Sequence, residues 1–111
     1  MTAPVACHRD DGELVGFLTP VDGGWVPTTV FGYPLGEATD RDSAEDLLLA
    51  VGLSVLADRW SLFDGDVWLD AMILEARPDE VTVAIVDANV EPYGQRRTLR
   101  APVGADRLRR R

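Results

Sequence analysis

Hydrophobic and polar positions follow two different rhythms along this chain. Residues 13–19 read Glu-Leu-Val-Gly-Phe-Leu-Thr, a short apolar run bounded by Gly12 and Pro20, which predicts a strand. Asp22-Gly23-Gly24 supplies turn chemistry. Trp25 to Phe31 is rich in β-branched and aromatic residues and predicts a second strand. Pro27 has no amide donor, so it belongs at an edge or a bulge. Residues 13–31 are therefore expected to form a hairpin.

The rhythm changes after Gly36. Ala44, Leu47, Leu48 and Val51 fall at i, i+3, i+4 and i+7, which predicts an amphipathic helix over residues 40–51. Asp42 or Ser43 is the expected N-cap, with Glu45 three residues after Asp42. Gly52 is the expected left-handed residue just past the helix end. Residues 53–58 fit either a helical stripe through Leu53, Leu56 and Trp60 or a strand starting near Val55.

From Arg59 the two-residue rhythm returns. Residues 60–63, an Asp64-Gly65-Asp66 turn and residues 67–76 predict a hairpin. Arg77-Pro78-Asp79 is a second turn, and Val81, Val83 and Ile85 then alternate with Thr82 and Ala84. The strand over 67–76 is apolar on both faces, with Trp68, Met72 and Leu74 on one and Val67, Leu69, Ala71 and Ile73 on the other. Such a strand is either central and covered twice or part of an interface. Residues 88–97 read as a polar loop and residues 98–103 as a last strand.

The pattern gives an α+β fold: an antiparallel sheet of five to six strands, ordered ββ-α-βββ with a further strand near the end, and one principal helix. A strongly bent sheet or small barrel is the alternative. The length of 111 residues suits a single domain, placed at 13–104. Residues 1–12 lack periodicity and are expected to be a flexible terminus, and residues 105–111 an Arg-rich tail.

Composition narrows the chemistry. The chain is 46% hydrophobic and 27% charged, an ordinary globular balance. Net charge is −8, from 19 acids and 11 bases, and every base is Arg. Codon usage of a high-GC bacterium explains the missing Lys better than adaptation to high salt. One cysteine allows no intramolecular disulfide. Val5-Ala6-Cys7 follows too few residues for a signal peptide, and the longest apolar stretch, 47–57, is about half of the roughly 20 residues a membrane span needs. A cytoplasmic protein without a membrane partner is expected.

No motif fixes a reaction. Without Lys a P-loop cannot exist, and neither G-x-G-x-x-G nor G-x-S-x-G occurs. Cys7 and His8 are adjacent but lack a third group to orient a base. A single Cys and a single His cannot build a structural zinc site. Asp64, Asp66 and Asp70 miss the calcium-loop spacing and are explained by turn geometry. Asp70 and Glu75 are an odd step apart, so on a regular strand they face opposite ways and pair only across a bulge. No catalytic residue, metal ligand or cofactor is expected. A carboxylate enzyme with a divalent metal is the third-ranked reading.

Trp60 and Trp68 are expected in the core. Trp25 and Tyr33 flank prolines and are candidates for a shallow peptide groove. Trp25, Tyr33, Trp68, Met72 and Leu74 form the candidate partner surface. Charge is split along the chain: residues 1–76 hold 14 acids and 3 Arg, giving −11, and residues 77–111 hold 5 acids and 8 Arg, giving +3. Arg96, Arg97, Arg100, Arg107, Arg109, Arg110 and Arg111 are candidate polyanion contacts, with Tyr93 the one aromatic among them. The favoured function is a non-catalytic protein-interaction module, homodimeric through residues 67–76. A nucleic-acid-associated protein is the alternative and is not favoured, because the mean field of the chain repels phosphates.

Overall fold

The computed structural model describes residues 3–111. Among them, the segments with two-residue rhythm divide between two antiparallel sheets rather than joining in one. β1 (Val5–His8), β2 (Leu14–Val21) and β3 (Gly24–Thr28) make a three-stranded sheet in that order. β4 (Trp60–Asp64), β5 (Val67–Ala76), β6 (Glu80–Ile85), β7 (Arg96–Arg100) and β8 (Leu108–Arg110) make a five-stranded sheet, order β7-β6-β5-β4-β8. The class is α+β as expected, and neither sheet closes into a barrel. Among the described residues the one α-helix, α1 (Arg41–Val51), packs on β2 and β3, and only its last residue, Val51, reaches the larger core.

Each sheet buries one face. The larger core takes Trp60, Leu62, Leu69, Ala71, Val81, Val83, Ile85, Leu99 and Leu108 from the five strands. Phe31, Tyr33, Val55 and Val103 cover that face from the connecting segments. The smaller core joins Cys7, Val15 and Leu18 to Ala44 and Leu48 of α1. Leu35 packs against both. The ambiguous stretch 53–58 is a 3-10 helix, Ser54–Ala57, which puts Val55 under the larger sheet. The carbonyl of Val55 accepts the indole Nε1–H of Trp60 at 3.0 Å. The Trp60 ring meets Tyr33 edge-on at 5.0 Å and Phe31 at 6.0 Å.

Both termini depart from expectation. Residues 5–8, read as part of a flexible end, pair with β2 in the register Val5↔Leu18. Their burial signal is carried by Cys7, which packs as a small hydrophobe beneath α1. Residues 108–110, read as a tail, pair with β4 in the register Leu62↔Leu108, and Leu108 is fully buried.

Local chemistry at the helix also differs in detail. Asp40, not Asp42 or Ser43, is the N-cap: its carboxylate accepts the Ser43 amide at 2.9 Å and the Ser43 hydroxyl at 2.8 Å. These bonds, the amide first, hold the Asp40 carboxyl below its ordinary pKa. Gly52 ends the helix with φ −55°, in right-handed geometry, so it is not the left-handed residue expected there. What requires glycine is space: a Cβ would sit 2.5 Å from the Val15 carbonyl oxygen. Gly16 in β2 needs both space and freedom, because its φ is +150° and a Cβ would strike the Thr28 carbonyl.

Two outcomes follow for stability. Gly16→Ala should cost about 2–4 kcal/mol in urea unfolding, combining a glycine-only conformation with a backbone clash; an unchanged midpoint would contradict the β2–β3 geometry. Asp40→Ala should lower the midpoint at neutral pH. A carboxyl whose pKa is depressed on folding stabilises above its unfolded pKa, and that contribution disappears as pH falls through the folded value. The gap between wild type and Asp40→Ala should therefore close in acid, as checked by unfolding curves from neutral to acidic pH.

Candidate functional site

The strand apolar on both faces is the central strand of the larger sheet, paired to β4 on one side and β6 on the other. Its inward face is Leu69, Ala71 and Ile73, and its outward face carries Trp68, Asp70 and Met72. The cross-strand neighbours decide which face turns in. Across from the inward residues stand Leu62, Trp60, Ile85 and Val83. Across from the outward ones stand Phe63, Ser61 and Ala84. Trp68, expected in the core, is therefore on the open side at 36% exposure, beside Phe63 at 40%, Met72 at 45% and Leu74 at 44%. The Phe63 and Trp68 rings lie 5.2 Å apart.

The arginines of the C-terminal third frame this patch from both edges. On β8, Arg109 sits opposite Ser61 and places its guanidinium 4.3 Å over the Trp68 ring, with Nε donating to the Ala105 carbonyl at 2.8 Å. Arg111 pairs with Asp70. On the other edge, β7 carries exposed Arg96 and Arg100, with Arg96 opposite Ala84. Arg97 is turned away and held by Asp64 at 3.3 Å and Gln95 at 3.1 Å, and Arg110 reaches Asp58 at 3.6 Å. Arg107 lies exposed in the approach to β8, and Tyr93, 58% exposed, lies in the β6–β7 loop. The expected linear arm is thus two separate edges of one sheet.

Other candidates are dispersed. Tyr33 is 9% exposed and packs on Trp60, so it is a core residue and not part of a partner surface. Trp25 is half-buried on the other sheet, under the Arg41 guanidinium at 5.2 Å, so the two make no common groove. Cys7 is buried while His8, the next residue on the strand, is exposed. Burial, and then the nearby Glu45 carboxylate, push the Cys7 thiol above its ordinary pKa, the opposite of an activated nucleophile.

A bulge between Ile73 and Glu75 inserts Leu74 as an extra residue, so Glu75 shares the outward face with Asp70. The two carboxylates still stand about 16 Å apart at about 3.3 Å per residue, and each has its own arginine, Arg111 for Asp70 and Arg77 for Glu75. Among the described residues no group of three or more His, Cys, Asp or Glu is placed to hold a metal ion. No helix among them is long and apolar enough to cross a membrane. A cleft of about 460 Å³ opens between the sheets around Phe17, Val30, Phe31 and Pro102.

The chain matches no protein-family model, no curated protein and no solved structure.

The arginine edge on β8 is inseparable from the fold, because Leu108 is its anchor. Leu108→Ala should cost about 2–4 kcal/mol, and deleting residues 105–111 at least as much, whereas Arg107→Gln and Arg109→Gln should leave the unfolding midpoint nearly unchanged. Equal stability of the truncated and full chains would show that β8 does not dock.

Proposed function

We propose that the protein is a non-catalytic protein-interaction module that takes its partner on the open face of the five-stranded sheet. The observation that carries this reading is the set Phe63, Trp68 and Met72, 36–45% exposed on the outward face of β4 and β5, with Leu74 exposed at the bulge beyond them. Exposing large side chains together is unfavourable by about 25 cal/mol per Å² of apolar surface, and a monomer gains nothing from it unless the surface binds. The lone, buried Cys7 suits a reducing compartment such as the cytoplasm.

A homodimer through residues 67–76 is the less favourable form of this reading. β4 pairs β5 along Val67–Ala71 and β6 pairs it along Ala71–Ala76, so a second copy can meet its outward face or one of the half-edges those partners leave. A two-fold contact would set the same arginine-framed surface against itself. A nucleic-acid partner has one specific observation in its favour: Arg109 lies over the Trp68 ring beside the tilted Phe63 ring, a cation and two aromatics of the kind that bind bases.

Affinity capture from the source cells separates these readings. The wild-type chain should retain a protein that Trp68→Glu does not, and nuclease treatment should leave that capture intact. Identical capture by both chains would overturn the interaction face, and nuclease-sensitive capture would favour the nucleic-acid reading. Sedimentation velocity should show a monomer; a Trp68-dependent dimer would restore the homodimer.

A further inference from the structure

The charges on the outward face are not equally occupied. Asp70 is neutralised by Arg111 and Glu75 by Arg77. Arg100 faces Glu80 across the β6–β7 register. Among the described residues, none of Arg96, Arg100, Arg107 and Arg109 has a carboxylate within 4.0 Å, and Arg96 and Arg109 stand opposite the uncharged Ala84 and Ser61. Both guanidiniums are available in a chain whose net charge is −8. They stand on opposite edges, Arg109 on β8 in a row with Ser61 and Asp70, Arg96 on β7 in the next row with Ala84 and Met72, and the Trp68–Phe63 pair flanks Arg109 on its other side. Four inter-strand spacings of about 4.8 Å put the two edges about 19 Å apart.

We infer that the partner is an acidic protein segment with an apolar anchor, laid across the strands so that carboxylates reach Arg96 and Arg109 while an aromatic or aliphatic side chain rests on Trp68, Phe63 and Met72. This deepens the interaction-module reading and rests on it. A planar guanidinium matches a carboxylate with two parallel hydrogen bonds, and a desolvated apolar contact beside it strengthens such a pair. Arg109 is already oriented by the Ala105 carbonyl and the Trp68 ring, so little side-chain freedom is lost when it binds. A continuous phosphate chain fits less well. It carries charge at every unit and continues beyond the two arginines onto the rest of a molecule whose net charge is −8, whereas a peptide can confine its acids to two places.

The test is selection of a displayed library of random peptides of about 12 residues, long enough to cross the sheet. Wild-type chain should enrich peptides with Asp or Glu on both sides of an aromatic or large aliphatic residue. An enriched peptide should lose at least about tenfold in affinity, about 1.4 kcal/mol, when its acids become Asn and Gln. The double variant Arg96→Glu, Arg109→Glu should reject the acidic peptides and instead enrich peptides with Lys or Arg in those places, which a misfolded chain would not do. Circular dichroism should show the wild-type fold in that variant. Selection of acid-poor peptides, unchanged selection by the double variant, or displacement of the acidic peptide by a single-stranded oligonucleotide at lower concentration would each overturn the inference. Charge-blind peptides that still require Trp68 would overturn the acidic partner while leaving the interaction face standing. Binding that ignores Trp68 as well would overturn both.

Discussion

The burial of one indole sets the orientation of the larger sheet. Trp60 begins β4 and points inward, where Val55, Tyr33 and Phe31 hold it from the other side of the core. A strand alternates strictly, so Trp60 inward means Leu62 inward and Phe63 outward. The register Phe63↔Trp68 then sends Trp68 outward, and with it Asp70 and Met72. Slipping that register by one residue would bury the outer set and expose Leu69 and Ala71. The exposed patch is thus a consequence of where Trp60 is anchored, not a separate accident of the surface. The same indole ties the halves of the molecule together. Phe31 and Tyr33 follow directly from β3, and Val55 follows from α1, so the three-stranded sheet and its helix are attached through Trp60's contacts.

The patch is exposed but not bare. Phe63 and Trp68 form a tilted cross-strand aromatic pair, which contributes about 0.2–1 kcal/mol relative to small residues. Arg109 lies over the indole, and its methylene stem shields apolar surface while the charge stays in water. This arrangement depends on β8, whose docking rests on Leu108. The ion pairs of Arg110 and Arg111 are exposed and add little beyond alignment. One leucine therefore presents the arginines of a strand that the linear sequence suggests is a loose charged tail.

The legible parts of the fold are those with a complete local signature. The helix had its i, i+3, i+4 stripe, and the hairpins had Asp-Gly turns between alternating segments. β1 and β8 had neither. In β1 the deeply buried residue is Cys7, whose type suggests chemistry before packing. In β8 the inward residue is a single Leu108 within a run of arginines, and one residue has no period. The face choice of β5 was not local at all, since both of its faces are apolar and only the cross-strand partners distinguish them. The bulge at Leu74 was equally hidden, and it reverses the relation of Asp70 to Glu75 that strict alternation predicts. The candidate residues Trp68, Met72, Leu74, Arg96, Arg100 and Arg109 were all readable as chemistry, but they belonged to two hypotheses. Pairing of β8 with β4, and of β7 with β6, is what merges them on one face.

That merger changes what the net charge means. Along the sequence, −11 precedes +3, which suggests an acidic body with a basic arm. In space the arm is folded onto the body, and its unpaired cations sit at two edges around an apolar strip. An acidic partner is repelled by the three-stranded sheet and α1, where Asp10, Asp11, Asp42, Glu45 and Asp46 are exposed, and attracted by the exposed arginines of the larger sheet, Arg96 and Arg109 among them. Screening confines both effects to about 8 Å at physiological salt, so they act during the last approach rather than at long range. At that range a field of mixed sign selects orientation more than it adds affinity. The acidic body therefore has a part in the proposed interaction without touching the partner: it disfavours approach onto the three-stranded sheet and α1 relative to approach onto Trp68.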